Sequence, residues 1–500
     1  MRSPRNVGFL SILCALFATP LLGCTGVEET ISPVTPPPHV DFADCEDNPA
    51  LDCGTLEVPV DHDDPDGPKM KVPVVRVRAA DPAKRIGSLL LNPGGPGGSG
   101  VSLAKAAGVF FPQDLKDRFD LIGFDPRGEA GSTPSIDCVD SLDALVGLDM
   151  TPDDAAERKA LTDVTKAFVE GCQSRSGDLL AHIGTDSIVR DMDMLREALG
   201  DDKLTYLGYS YGTFLGAVYA DTFPDHVRAL VLDGPLDPSL TNEQFIEGQA
   251  YGFEVELEQM FAWCETSDDC PLGKDTEPVT PPSEVFDALK ASIEKTPLPS
   301  WLYTGRTVGP GEFAYAVSGA LYQPGRWDSL AEALSEAAKG DGTVLLDLAD
   351  GYSGRAPDGT YDNSFEVYYA VTSLDSPSSH KPEALAELLT KVTKKAPRIG
   401  AYLPYTALPA EFWPLPSWRE AVPVVAKGAP PILVVGATRD PATPYDWAQS
   451  LAKQLPGAAL LTRDGDGHTS FMHGSECIDK AVTDYLVSGA LPDTGTVCTD

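Results

Sequence analysis

Positive charge is scarce in this 500-residue chain: 38 Lys and Arg stand against 75 Asp and Glu, a formal net charge of −37. Such a surface repels a phosphate backbone, which excludes nucleic acid as a partner, and the acidity itself reads as a solvated face. Histidine is scarcer still, with seven residues, and neither a CxxC pair nor an HExxH run occurs. Neither common metal-ligand spacing is therefore present, and no metal or other cofactor is expected. Long unbroken apolar runs are missing too. The one candidate, "VGFLSILCALFATPLLG" at 7–23, is short for a membrane span and is cut by Pro20. With 42% hydrophobic residues, 46 Gly and 44 Pro, the composition suits a loop-rich globular body of one or two domains.

What stands at the N-terminus instead suits export. Arg2 and Arg5 precede the apolar run, and Leu21-Leu22-Gly23-Cys24 ends it in a pattern that resembles the lipobox of bacterial lipoproteins. The expectation is a signal peptide at 1–23, then a Pro-rich tether at 24–44 that begins at a lipidated Cys24 and makes the only membrane contact. The destination is the cell envelope or the exterior. Eight further cysteines remain, an even number that favours disulfides in an exported chain. Eight allow 105 pairings; joining sequence neighbours gives Cys45–Cys53, Cys138–Cys172, Cys264–Cys270 and Cys477–Cys498.

From Lys69 onward, short β-rich runs alternate with helical stretches. "MKVPVVRVRA", "IGSLLLNPGG", "FDLIGFD", "KLTYLG" and "VRALVLDGP" read as strands, and Ile188, Met192, Leu195 and Leu199 recur at helical spacing. The rhythm breaks after about Leu236. Amphipathic helical pieces and Pro/Gly loops then run to about Gly400, before "PPILVVGATRD" and "AALLTRD" restore the alternation with the helices "YDWAQSLAKQL" and "ECIDKAVTDYLV". Strands alternating with helices predict an α/β fold whose mostly parallel sheet is covered on both faces. The core then occupies 45–236 and 401–500, with a large, mainly helical cap inserted at 237–400.

Gly208-Tyr209-Ser210-Tyr211-Gly212 matches G-x-S-x-G, the strand-to-helix nucleophile elbow of α/β-hydrolases. Chance alone gives roughly 0.2 to 0.3 such matches in a glycine-rich chain of this length. The context decides, because the strand "KLTYL" precedes the pattern and the helix "TFLGAVYA" follows it. A serine hydroxyl is a weak nucleophile without a base, and in this fold the order is serine, acid, histidine. Of the downstream histidines, His226 enters a strand at the end opposite the elbow and His380 sits in the polar loop "SPSSHKP". His468, in the strand-end loop "GDGHTSF", is the expected base, in preference to His473 five residues on. Asp440, ending "PILVVGATRD", is the expected acid, with Asp233 at the end of "VRALVLD" as its rival. For the oxyanion, "LLLNPGGPGGSG" presents Gly94 and Gly95 as backbone donors beside the Tyr211 amide. A phosphate loop is the competing reading of that glycine run, but Pro96 breaks it and no Lys-Ser/Thr follows.

Taken together, "NPGGPGGSG", "FDLIGFDPRG", "LTYLGYSYGT", "LVLDGPLDP" and "GATRDPATP…GDGHTSF" resemble the exported tripeptidyl aminopeptidases of the α/β-hydrolase superfamily, close to the proline iminopeptidases. The resemblance runs from about Cys45 to Cys498 and is weakest in the insertion. It implies Ser210, Asp440 and His468 as the triad, Gly95 and Tyr211 as oxyanion donors, and peptides with a free N-terminus as substrates. A carboxylesterase or lipase would use the same machinery. Where that family often continues D-P-R-G-x-G-x-S, this chain has "DPRGEAGSTP", so Glu129 and Ala130 alter a turn that could border the pocket, while Asp125 and Arg127 read as supports behind the site. Acidic residues of the cap are candidates to hold the substrate's ammonium, Glu243, Glu247, Glu254, Glu256 and Glu258 among them, but most of these read equally as solvated helix positions, and no one of them is singled out.

Overall fold

Ten strands form one sheet in the computed structural model, which describes residues 37–274, 279–376 and 382–499. In chain order they are β1 (Ala43–Asp44), β2 (Asp52–Pro59), β3 (Lys69–Val77), β4 (Gly87–Asn92), β5 (Phe119–Phe124), β6 (Leu204–Tyr209) and β7 (Val227–Asp233). A two-residue pair, β8 (Leu298–Pro299) and β9 (Thr307–Val308), stands apart, and β10 (Leu433–Arg439), β11 (Ala459–Asp466) and β12 (Val497–Cys498) complete the sheet. Its order is β1-β2-β3-β5-β4-β6-β7-β10-β11-β12, antiparallel from β1 through the β3–β5 pair and parallel from β5 to β12.

Side chains alternate across the pleat, so each strand feeds two cores. Leu90, Ile122, Tyr206, Leu230 and Val434 join one, and Leu89, Leu91, Leu121, Leu207, Val231 and Val435 join the other. Strands β4, β5 and β6 are buried along their whole length, which is why they read as continuous apolar runs rather than alternating ones.

Between β7 and β10 the chain is helical, from the long helix Asn242–Thr266 to Pro382–Lys395. Phe261, Phe286, Phe313 and Leu334 of this region pack into the same core as Leu230 and Val434 of the sheet. The region departs from expectation in two ways. It contains the short β8–β9 pair, and its helical pieces continue through Leu408–Phe412, with the sheet resuming only at Leu433. A second excursion lies between β5 and β6, where the helix Ala155–Ser176 starts from a reciprocal Asp154/Glu157 capping box. All four neighbour-paired disulfides are present, and Cys138–Cys172 ties this helix to the loop after β5. No helix among the described residues is long and apolar enough to cross a membrane. The expected signal peptide and lipidated Cys24 lie outside the described residues.

Candidate active site

The elbow starts from a steric problem. Strand β6 must turn into the helix Tyr211–Thr222 within one residue, and Ser210 makes that turn at φ 53°, ψ −124°, a conformation costly for a side-chain-bearing residue. The neighbours allow it. A Cβ on Gly208 would meet the Gly212 carbonyl oxygen at 2.3 Å, and one on Gly212 would meet Asn92 Oδ1 at 2.7 Å. The Ser210 N–H donates to the Asp233 carbonyl at 2.9 Å and its own carbonyl accepts from the Thr213 amide at 2.8 Å, while its side chain makes no cap bond to the helix. The flanking tyrosines go to opposite cores. Tyr209 packs with Leu207 and Phe471, and Tyr211 reaches Thr185 Oγ1 at 2.5 Å.

The two loops that follow β10 and β11 meet each other at Asp440 and His468. Asp440 Oδ1 accepts the amides of Ala442 and Thr443, and Oδ2 accepts the Thr443 hydroxyl at 3.0 Å and the Thr469 amide at 3.2 Å. His468 Nδ1 lies 2.8 Å from Oδ1 and 3.0 Å from Oδ2. A carboxylate facing Nδ1 holds the proton there and leaves Nε2 as the lone-pair nitrogen. Nε2 is buried and has no hydrogen-bond partner, the Ser210 hydroxyl included; such contacts are commonly loose before substrate binds. The end of β7 touches both the serine and the imidazole. Asp233 holds the Ser210 amide through its carbonyl, and a Cβ on the next residue, Gly234, would stand 3.1 Å from His468 Cε1.

Asp233 is not the imidazole's partner. Its carboxyl accepts the Ser470 and Phe471 amides, at 3.0 and 2.7 Å, and so shapes the loop that carries His468, with burial pushing its pKa up to about 7. His226 bonds Asp193, and His473 donates its backbone N–H to the Ser470 carbonyl; His380 is outside the described residues. Sequence reasoning missed three contacts on His468 and its acid. Thr443 Oγ1 sits between Asp440 and His468 Nδ1, 3.3 Å from the latter. Tyr322 accepts the His468 amide at 2.8 Å, and the Gln323 side chain donates to the His468 carbonyl. Tyr322 and Gln323 belong to the region between β7 and β10, so that region grips the His468 backbone from both sides. A threonine three residues after Asp440 was the only available signal.

Ser210, Gly95 and Tyr211 line one cavity of about 420 Å³, which Tyr322 and Thr443 also wall. Gly94 requires a correction. Its amide is committed to Asn92 Oδ1 at 2.9 Å and is not a free donor. Its glycine identity has another cause: at φ 92°, a Cβ there would stand 2.5 Å from the Tyr209 carbonyl oxygen and 2.8 Å from Ser210 Cβ. The cavity wall is rich in aromatic residues, including Phe214, Phe253, Tyr315, Tyr352 and Tyr369. The cap glutamates are not part of it. Glu254 accepts the amides of Arg398, Ile399 and Gly400, Glu258 pairs with Arg398, and Glu247 pairs with Lys391 and Lys395. Glu256 is fully buried elsewhere, with burial pushing its pKa up to about 9, and Glu243 is not on the lining. The carboxyls on the wall are Asp237 and Asp375, both within electrostatic reach of Arg419, whose guanidinium donates to the Pro238 carbonyl. Asp375 accepts from Thr185, Trp418 and Tyr211, and burial raises its pKa to about 6. All three side-chain bonds to Asp237, from the Ser239 amide, the Ser239 hydroxyl and Gln454, go to Oδ1.

Behind the glycine loop, Arg127 is fully buried, bonding Asp191 and the carbonyls of Pro59, Val60 and His182. Asp125 accepts from Ser99 and Val101 at the start of the helix Gly100–Phe110. Glu129 and Ala130 are off the cavity lining. Glu129 is buried, its carboxyl held well above the usual range by that burial.

A family model described as the alpha/beta hydrolase fold matches residues 87–475. The chain belongs to the α/β-hydrolase family. Three relatives extend the match over almost the whole of this hydrolase. A protein named Serine protease Hip1 from Mycobacterium tuberculosis is 39% identical, over 89% of this chain and 87% of its own. Carboxylesterase B from the same species is 38% identical, over 91% and 88%. Tripeptidyl aminopeptidase from Streptomyces coelicolor is 32% identical, over 92% and 86%. The family and these relatives make the chain a serine hydrolase.

Proposed function

We propose that this hydrolase is an exported serine exopeptidase that removes amino acids or short peptides from free N-termini through an acyl-enzyme on Ser210. The observation that carries the reading is the strained Ser210 turn on the wall of a cavity, its amide held by Asp233, whose neighbour Gly234 abuts an Asp440-paired imidazole with an unpartnered Nε2. In this reading His468 takes the Ser210 proton as the hydroxyl attacks the carbonyl, and Asp440 holds the imidazole in the required tautomer. The oxyanion takes the amides of Gly95 and Tyr211, the latter at a helix N-terminus where backbone donors lack intrahelical partners. His468 then protonates the leaving amine, and a water it activates releases the acyl product.

Peptide rather than ester chemistry is supported by the names of two relatives and by the two carboxyls that the cavity wall carries against one guanidinium. Asp237 Oδ2, which takes none of that residue's three side-chain bonds, is suited to a substrate ammonium. Four disulfides support an oxidising compartment; the apolar run and Cys24 support a lipid anchor as the route to the envelope. The aromatic wall and the relative named Carboxylesterase B favour a second reading, an esterase of apolar acyl groups.

Aminoacyl- and tripeptidyl-arylamides, their N-acetylated forms and short-chain esters, assayed with wild type and Ser210→Ala, separate the two. Amide cleavage that is lost on acetylation and in the variant is the expected outcome. Turnover of esters alone would replace the peptidase reading with the esterase one.

A further inference from the structure

Ser210 opens onto the aromatic cavity, but His468 lines a different one. The walls of this second cavity include Leu103, Ala106 and Phe110 of the helix Gly100–Phe110 and Phe471 and Met472 of the His468 loop, with Gln323, Thr469 and His473 as polar neighbours of the imidazole. Leu103, Ala106 and Phe110 are spaced by three and four residues and form one helical face. Phe110 is 70% exposed and its neighbour Val109 69%. Of the two, Phe110 stands on the cavity's rim. No Asp, Glu, Lys or Arg lines this cavity.

The occupant follows from the chemistry of acyl transfer, and the inference rests on the peptidase reading above. When the tetrahedral intermediate collapses, the C–N bond breaks and the amine nitrogen takes from His468 Nε2 the proton that came from Ser210. The acyl part stays on the serine, in the cavity that the serine lines. The residue that begins the leaving peptide must lie beside the imidazole, since its nitrogen is hydrogen-bonded there at that moment. We propose that the second cavity receives the side chain immediately following the scissile bond, and that it selects an apolar one. A charged side chain entering it would give up water to apolar walls that carry no Asp, Glu, Lys or Arg to pair with it, whereas a Leu or Phe would cover the exposed helical face. The two cavities thus divide the substrate at the bond to be cut.

The test uses the full-length protein and four peptides with a free N-terminus, identical up to the cleaved bond as located by mass spectrometry, with Leu, Phe, Asp or Lys directly after it. The expected result is a kcat/KM about tenfold or more higher for Leu and Phe than for Asp and Lys, from burial of the apolar side chain. Because Phe110 is mostly in solvent, both charges can be placed there without disturbing the core. Phe110→Lys should raise the Asp peptide relative to the Lys peptide by about threefold, and Phe110→Asp should do the reverse, as for a partly exposed ion pair. A merely structural effect would lower all four together. Rates within about twofold across the four wild-type substrates, or variants that shift all four equally, would overturn the assignment. If wild type cuts none of the peptides, the peptidase reading falls and this inference falls with it.

Discussion

Asp440 and Asp233 end neighbouring parallel strands, both buried, yet their partners assign them opposite work. Asp440 faces the imidazole, so replacing it with Asn removes the acceptor that fixes the His468 tautomer while keeping the shape. Asp440→Asn should lower kcat by about four orders of magnitude with little change in thermal midpoint, read by arylamide kinetics and calorimetry. Asp233 faces two backbone amides. Asp233→Ala strands both in a buried loop and should cost about 1–3 kcal/mol for each, measured by denaturant unfolding. Its pH dependence has a definite sign. The native carboxyl titrates at about 7 and an unfolded one at about 3.9, so between those values the native state keeps a proton that the unfolded chain has released. Stability from this group is full below the lower value and is lost as pH rises through the upper one. The stability of wild type relative to Asp233→Asn should therefore fall between about pH 4.5 and about pH 7.5 and level off above. A difference that does not move with pH would contradict the raised value.

Among elements, the helix Asn242–Thr266 is the one that holds the Asp440 loop. Gln249 donates to the Ala442 carbonyl at 2.8 Å, and a Cβ on Gly252 would meet the Pro441 carbonyl oxygen at 2.4 Å. Gly→Ala inside a helix ordinarily stabilises by up to about 1 kcal/mol. At Gly252 the clash with backbone should outweigh that, giving a net loss of about 1–3 kcal/mol and a reduced kcat as the Asp440 loop is pushed aside. Gly351, in the helix Thr343–Ser353 with nothing within 4 Å of its virtual Cβ, should show the ordinary gain of about 0.5–1 kcal/mol. Equal effects at the two sites, by thermal unfolding, would disprove the contact argument. Local pattern explains what was legible beforehand. Strand runs, the glycines around Ser210 and the strand-end positions of Asp440 and His468 are all written within a few residues of themselves. What depends on distant partners is not. The commitment of the Gly94 amide to Asn92, the grip of Tyr322 and Gln323 on His468, and the bonding of Glu254 to the Arg398–Gly400 turn are set by tertiary placement. The helix Ala155–Ser176 escaped because its buried positions, Leu161, Phe168 and Val169 among them, are few and surrounded by charge. The region between β7 and β10 runs past 400 because a 3-10 segment and a five-residue helix carry no readable period.

For the molecule as a whole, covalent closure and charge act in opposite directions. Cys138–Cys172 closes 34 residues of chain, and in the chain-entropy model replacing both cysteines with serine should cost about 3–4 kcal/mol of stability, measured against denaturant. The charge works against compactness: at −37 the folded chain repels itself, and it also attracts cations from a distance. At about 10 mM salt the screening length is about 30 Å, and at 150 mM it is about 8 Å, shorter than the molecule is wide. A peptide with a free ammonium and a lysine is therefore drawn in at low salt, and its kcat/KM should fall several-fold across that range. A neutral ester feels no such field, and its kcat/KM should stay level while the protein's thermal midpoint rises as self-repulsion is screened. If salt depressed both substrates alike, the effect would lie in the enzyme's own conformation, and long-range attraction of the peptide by its acidic body would be excluded.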